Sequence, residues 1–284
     1  RGNGGRVAAP TPGAGSTSGG DDSAGANTPK RGVMMIAGNG VSQRQRNGGG
    51  KNRSPGVVRR IPEFEELPGL YRELLSSSWS ERKDAFDRLG AIVKANPDDF
   101  AAAGKLAKAF DALVERAGDP NPTLQTHALH DLRDGVLPAL AGRRKNHLEE
   151  FAPAAIPVIA GACVSARRGA QAAAQETLAL YLSSTDPLRT LQPVASLVEH
   201  GNARMRETLV AHLAELTPQV YLRKPVLVGK YVPPAAAALF RDRSAAARQQ
   251  GQQLVRSLKG SLGEAWRDVV RSSNVPGDAQ KALL

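Results

Sequence analysis

From Ile61 onward, apolar side chains recur three and four residues apart along the chain. One such stripe is formed by Phe86, Leu89 and Val93. Two more stripes have the same spacing: Leu106, Phe110, Leu113 and Val114, and then Met205, Leu209, Leu213 and Leu216. This spacing places each set on one face of an α-helix, and no run alternates apolar and polar residues between hairpin signals. The pattern therefore predicts an all-α protein.

Short polar breaks separate the stripes, and their residue types mark helix ends. Asn121 stands before Pro122, which is the order of an N-cap followed by Pro at the first helical position, where no N–H is needed. Ser78 and Glu81 have the spacing of a capping box. This spacing predicts a helix start at residue 78 and leaves Trp79 inside the cap, where a large aromatic is better placed for a partner than for a core.

The turns inside successive helix pairs recur at a regular distance. Their markers are 42, 46, 35 and 40 residues apart: Trp79, Asn121, Arg167, Asn202 and Asp242. A period of about 40 residues is typical of HEAT and armadillo arrays, in which one helix pair cannot bury its apolar face and stacks on the next. We therefore predict an α-solenoid of about five to six HEAT-like helix pairs, with a short terminal helix around residues 261–270. Stacking would bring all the turns to one edge.

Composition divides the chain near residue 60. Residues 1–60 hold 15 of the 29 glycines and 10 Lys/Arg against 2 Asp/Glu, so they carry +8 of the net charge of +11. A Gly/Ser/Asn-rich basic segment with so little apolar surface predicts a low-complexity arm, disordered or extended, that tethers the protein to an acidic partner. A solubilising linker is the alternative. Residues 61–284 form the predicted folded domain.

The sequence offers little for an enzyme. His127 and His130 share a helix face, but no third ligand or His-Glu-x-x-His pattern accompanies them. The Gly-rich pieces are not followed by Gly-Lys-Ser/Thr, which argues against a phosphate-binding loop. The single cysteine, Cys163, excludes an intramolecular disulfide and favours an intracellular protein. No run reaches the roughly 18 apolar residues of a membrane span. We predict a protein that is not an enzyme and uses no cofactor or metal.

The turn residues resemble those of TOG domains, the tubulin-binding HEAT arrays of the CLASP, crescerin and related microtubule-associated families. Four turns between about residues 67 and 270 carry the resemblance: Trp79, Arg82, Ala85 and Leu89; Asp119, Asn121, Ala128 and Leu129; Asn202, Met205 and Arg206; Asp242 and Arg248. The second turn departs from the family in having Pro122 after the Asn. The third turn, residues 165–169, is basic but has no family pattern.

The resemblance implies a module that docks its turn edge on tubulin or on the microtubule lattice, within a larger assembly and with the basic arm as a tether. It would regulate microtubule dynamics or decorate a stable lattice such as an axoneme, in the cytoplasm and on the cytoskeleton. Eight residues are the expected contacts: Trp79, Arg82, Asn121, Arg167, Arg168, Asn202, Arg204 and Arg243. Trp79 would be the anchor, worth about 2 kcal/mol or more as a hot spot, whereas exposed Arg pairs contribute about 0–1 kcal/mol each.

Alternatives stay open for several of these residues. Trp79 has the alternative of packing back against the preceding helix, and the asparagines are helix caps first. Arg206 and Arg248 are expected to bond to an Asp of a neighbouring repeat, and Trp266 to lie in the core of the terminal cap. For the whole chain the alternative is a HEAT-repeat scaffold for another protein, with an arm that binds nucleic acid. The lack of aromatics for base stacking in the arm argues against nucleic acid.

Overall fold

The computed structural model describes residues 61–141 and 146–284. The predictions made for the arm, residues 1–60, lie outside the described residues. In the described part every regular element is helical, as the apolar stripes predict. A 3-10 turn at Pro62–Glu65 precedes the first helix, another at Arg116–Gly118 follows α4, and a π-helical turn at Leu132–Val136 joins α5 to α6.

Fourteen α-helices lie within residues 61–141 and 146–284. Their bounds are α1 Leu67–Glu73, α2 Trp79–Ala95, α3 Pro97–Ala102, α4 Leu106–Glu115, α5 Pro122–Asp131, α6 Leu137–Ala141, α7 Leu148–Ala162, α8 Arg168–Ser183, α9 Pro187–His200, α10 Ala203–Arg223, α11 Pro225–Phe240, α12 Ala245–Leu262, α13 Ala265–Ser272 and α14 Gly277–Leu283. None of them is both long enough and apolar enough to cross a membrane.

Twelve of these helices, all except the short α3 and α6, form six pairs stacked in two layers, which confirms the predicted α-solenoid. The pairs are α1 with α2, α4 with α5, α7 with α8, α9 with α10, α11 with α12, and α13 with α14. Five turns inside these pairs contain or adjoin the residues that mark the predicted repeat. One helix of a pair exposes apolar surface that only the next pair covers, so stacking is what stabilises each unit.

The C-terminal end differs from the single helix expected around residues 261–270. α12 ends at Leu262, and Gly263 has φ +58, a backbone angle that a residue with a Cβ rarely adopts. The chain then turns into α13 and α14, a short sixth pair. Trp266 is fully buried there, and its Nε1 donates to the carbonyl of Leu283 at 3.0 Å. The prediction that Trp266 belongs to the terminal core is confirmed.

Side-chain caps fix several helix starts, although not the one predicted at Ser78. The Asn121 side-chain oxygen accepts from the backbone N–H groups of Thr123 and Leu124, at 2.9 and 3.2 Å. α2 does begin after Ser78, but the Ser78 side chain makes no cap bond. The capping box is wrong, because it is the Ser76 hydroxyl that bonds to the Glu81 carboxylate and accepts from the Ser78 N–H.

The two layers differ in continuity. In the layer of first helices, α4, α7, α9, α11 and α13 pack on one another in order. In the layer of second helices, α2 packs on α5, α5 on α8, and α10 on α12, but α8 and α10 make almost no direct contact. From α4 to α13 the layer of first helices is therefore continuous, whereas the layer of second helices is loosely packed between α8 and α10 and again between α12 and α14.

Candidate interface along the turn edge

Five intra-pair turns follow one another along one edge of the stack, called the turn edge below. They comprise residues 74–78, 119–121, 163–167, 201–202 and 241–244, in chain order from the first turn to the fifth. The guanidinium of Arg116 reaches from the second turn to the first, since its Nη1 donates to the carbonyl of Leu74 at 2.9 Å. Arg206, in the helix after the fourth turn, bonds to Asp242 of the fifth.

The middle of the edge is continuous as well. Gly118, at the second turn, lies against Val158, one turn before the end of α7. Arg168 and Arg204, which follow the third and fourth turns, line the same cleft. The turns predicted to share an edge therefore do so.

An exposed apolar pair marks the first turn. Trp79 is the first residue of α2 and remains 43 % exposed, and it is not among the side chains packed on the core. Leu75, four residues earlier, is 76 % exposed. The sequence analysis did not identify Leu75. The doublet Leu74-Leu75 could have indicated an exposed leucine, because a helix end can bury only one of two adjacent side chains. Leu74 is the buried one.

The expected role of Arg82 needs correction. Its Nε and Nη2 donate to the two carboxylate oxygens of Asp119 at 2.9 and 2.8 Å, and its Nη1 donates to the carbonyls of Ser76 and Ser77. The residue is only 9 % exposed. Arg82 therefore joins the first turn to the second and has no free face for a partner, so it is removed from the expected contacts.

Asp119 is the acceptor at the centre of this junction. Besides Arg82 it accepts from Arg116 Nη1 at 3.2 Å and from the backbone N–H of Asn121 at 2.8 Å, and its side chain is fully buried. Burial by itself would raise the pKa of the Asp119 carboxyl, but the bonds from Arg82 and Asn121 and the charges of the two arginines hold it below its ordinary value. The carboxylate is thus ionised and fully used inside the fold.

The fourth and fifth turns repeat this arrangement. Arg82, Arg206 and Arg248 each occupy the fourth position of their helices, α2, α10 and α12. Arg206 pairs with Asp242 of the next repeat, as predicted, and also bonds to the Glu199 carbonyl at 3.0 Å. The prediction for Arg248 is wrong in its partner, because Arg248 donates to the carbonyls of Asp242 and Arg243 in its own turn.

The two predicted asparagines serve as caps. Asn121 caps α5 as described, and the side-chain oxygen of Asn202 accepts from the Met205 N–H at 2.9 Å at the start of α10. Both lie on the turn edge, with Asn202 exposed and Asn121 half-buried. Their contact with a partner stays a prediction.

Four arginines on the turn edge face solvent. Arg167 and Arg168 stand at the third turn, Arg204 at the fourth and Arg243 at the fifth, and all four are exposed. Within residues 61–141 and 146–284, no side-chain hydrogen bond or ion pair engages their guanidinium groups. The edge thus runs from an apolar pair at the first turn, through a sealed ionic junction at the second, to free cations on the last three.

The described part of the chain offers no group of three or more His, Cys, Asp or Glu residues placed to hold a metal ion. Cys163 is fully buried, and burial raises the pKa of its thiol to about 12, so it is not an activated nucleophile. The chemistry available on this edge is apolar contact together with guanidinium pairing.

No family model matches the chain. The human protein "TOG array regulator of axonemal microtubules protein 1" is 26% identical over 175 residues, which cover 60% of this chain and 10% of that protein. The chain therefore matches about a tenth of the length of this relative.

Solved structures decide the fold. The structure described as "Crescerin uses a TOG domain array to regulate microtubules in the primary cilium" aligns with a TM-score of 0.54 at 18% identity, over 76% of this chain and 86% of that one. The chain has the fold of a TOG domain. A structure from "TOG-tubulin binding specificity promotes microtubule dynamics and mitotic spindle formation" agrees, with a TM-score of 0.52 at 15% identity over 78% and 86% of the two chains. The MAST/Orbit N-terminal domain gives 0.50 at 17% identity, over 76% and 93%. The TOG resemblance drawn from the turn residues is thereby confirmed.

Proposed function

We propose that this TOG-fold chain is a binding module whose turn edge docks on tubulin or on the microtubule lattice. Leu75 and Trp79 form the apolar anchor at the first turn. Arg167, Arg168, Arg204 and Arg243 pair with acidic groups of the partner. The observation that carries the proposal is the exposed indole of Trp79 on the same edge as four guanidinium groups that are free of partners in the described part of the chain.

The energetics assign the anchor the larger share. With 43 % of Trp79 exposed, about 100 Å² of aromatic surface is left for a partner to cover, which is worth about 2.5 kcal/mol. Each exposed Arg contributes about 0–1 kcal/mol and is screened by salt. Affinity should therefore depend mainly on the first turn, and salt sensitivity mainly on the last three.

The relatives support this partner. The human relative and two of the similar structures are described as acting on microtubules, and one of these structures is described as binding tubulin. We propose the same partner for this chain, on the cytoskeleton and including the axoneme, as part of a larger assembly. The basic arm, residues 1–60, is proposed to add a non-specific tether to the acidic surface through its net charge of +8.

Cosedimentation of the full chain with microtubules tests the proposal. Trp79→Ala should weaken binding at least tenfold, since about 2.5 kcal/mol corresponds to more than one decade of Kd. The matched control is Leu222→Ala, because Leu222 is 85 % exposed at the end of α10 away from the turn edge. Equal binding by Trp79→Ala and by the unchanged protein would refute the assignment of the anchor.

Charge is tested separately. The double variant Arg167→Glu, Arg243→Glu should bind microtubules more weakly, and its affinity should depend less on salt concentration. The double variant Arg256→Glu, Arg271→Glu, at exposed positions on other surfaces, should show neither change. Deleting residues 1–60 should leave binding detectable. If that deletion abolished binding, the arm rather than the turn edge would be the site.

A further inference from the structure

The opening between α8 and α10 is lined by two facing stripes of side chains, and is called the α8–α10 groove below. On α8 the stripe runs at intervals of three and four residues: Arg168, Gln171, Gln175, Ala179 and Leu182. On α10 the matching stripe has the same intervals: Arg204, Thr208, His212, Glu215 and Gln219. These stripes are mainly polar, so no apolar seam draws the two helices together as it does between α10 and α12. The groove is therefore a consequence of the sequence.

Two clefts follow each other along this groove. The one nearer the turn edge has a volume of about 540 Å³ and the other about 350 Å³. α8 has 16 residues, so the groove is about 24 Å long at 1.5 Å per residue. An extended chain advances about 3.4 Å per residue. A peptide of about seven residues would fill the groove.

The two ends of the groove differ in chemistry. At the turn edge, Arg168 and Arg204 project from opposite walls, with Glu207 as the one carboxylate among the residues that line this cleft. At the far end, the largely buried Leu182 and Leu216 line the second cleft with Pro187, together with the polar His212 and Glu215 of α10. One end therefore suits carboxylates, and the other suits an apolar side chain.

We propose that the α8–α10 groove binds an extended acidic peptide of about seven residues, with its carboxylates between Arg168 and Arg204 and an apolar side chain between Leu182 and Leu216. Guanidinium groups reaching in from both sides can take carboxylates in bidentate fashion. Gln171 and Gln175 offer amide groups along the α8 wall for the peptide backbone. The occupant is a segment of a partner protein, chosen on charge complementarity and length. The site shares two arginines with the proposed tubulin interface but not its anchor at the first turn.

Fluorescence anisotropy with the full chain tests this site. The probe is a labelled heptapeptide of five glutamates, one glycine and one terminal phenylalanine, and it is also synthesised with its sequence reversed. One direction should bind, and replacing its phenylalanine by glycine should weaken binding several-fold. The double variant Arg168→Glu, Arg204→Glu should weaken binding at least tenfold. The double variant Arg256→Glu, Arg271→Glu should bind as the unchanged protein does.

A steric variant separates the groove from a merely basic edge. Thr208→Trp fills the groove without changing charge and should reduce peptide binding at least tenfold. Gln175→Trp does the same from the facing wall, and thermal melting identifies which of the two remains folded. Trp79→Ala should leave peptide binding unchanged even where it abolishes cosedimentation, so this proposal and the proposed function fail independently.

Three results would overturn the inference. The first is no detectable binding of either peptide, and the second is full binding by the folded Trp-filled variant. The third is that an oligothymidine of seven nucleotides binds as tightly as the peptide and competes with it. The surface would then bind nucleic acid or polyanions in general.

Discussion

Replacing Asp119 by Asn should remove the ion pairs that join the first turn to the second. The carboxylate holds Arg82 through two bonds of 2.9 and 2.8 Å and Arg116 through one of 3.2 Å. Asn keeps the shape and can still accept from the Asn121 N–H, but it removes the negative charge. The largely buried guanidinium of Arg82 would then lack its counter-ion, and Arg116 would keep only Glu115, at 3.4 Å; removing one partner is the costly way to break a buried pair.

The expected loss follows from this geometry. Removing one partner of a buried pair costs about 3–5 kcal/mol. Because Asn retains one acceptor and the first turn's carbonyls still bind Arg82, the lower end, about 3 kcal/mol, is expected. In a domain of this size each kcal/mol lowers Tm by about 2–4 °C, so Asp119→Asn should melt about 6–12 °C below the unchanged protein.

Thermal unfolding followed by circular dichroism at several pH values measures the effect. The pKa of Asp119 is lower in the folded protein than in the unfolded chain, so its contribution is complete above the unfolded value, about 3.9. That contribution is lost as pH falls through the folded pKa. The gap in Tm should therefore be full at pH 7 and narrow below about pH 4. Asp84→Asn, at an exposed position of α2, is the control. A Tm within 2 °C of the unchanged protein at pH 7 would refute the reasoning.

Other predictions concern the C-terminal repeats and the thiol. Gly263→Ala should lower stability by about 1–3 kcal/mol, because φ +58 with ψ −132 strains any residue with a Cβ. Gly260→Ala, with open space around its added Cβ, should raise it by about 0.5 kcal/mol; chemical denaturation tests both, and equal effects would contradict the backbone argument. Cys163, with a pKa raised to about 12 by burial, should resist iodoacetamide at pH 8 until the protein is unfolded. Rapid alkylation of the native protein would show that the thiol is accessible.

Local signals predicted the parts of the fold that local chemistry decides. Asn121 before Pro122, and Asn202 before the stripe of α10, identified helix starts that the structure has at those places. The partner of Arg206 followed from the repeat itself, because an Asp one repeat later faces it. The predicted capping box of Ser78 and Glu81 is wrong because the three consecutive serines, residues 76–78, offer alternative hydroxyls. The position at which α1 ends decides which of these hydroxyls contacts Glu81.

The site was harder to predict, since it depends on contacts between distant residues. The spacing of Arg82 from Trp79 does not show whether its side chain is exposed or buried. The bond to Asp119, 37 residues later in the chain, is what removes Arg82 from the surface. Exposure of Leu75 depended on which leucine of the doublet α1 buries. The separation of α8 and α10 depends on which of their faces the stack turns toward each other. Hydrophobic periodicity alone does not show that two polar stripes will face each other across a groove.

The weak contact between α8 and α10 has a mechanical consequence. In the layer of first helices α7 packs on α9. The first three repeats and the last three are therefore connected by a hinge along that layer. Tension along the stack loads the continuous layer, which resists it, whereas bending only changes the width of the gap. We expect the domain to be stiff when stretched and soft when flexed, which suits an element that must follow the curvature of whatever it lies upon.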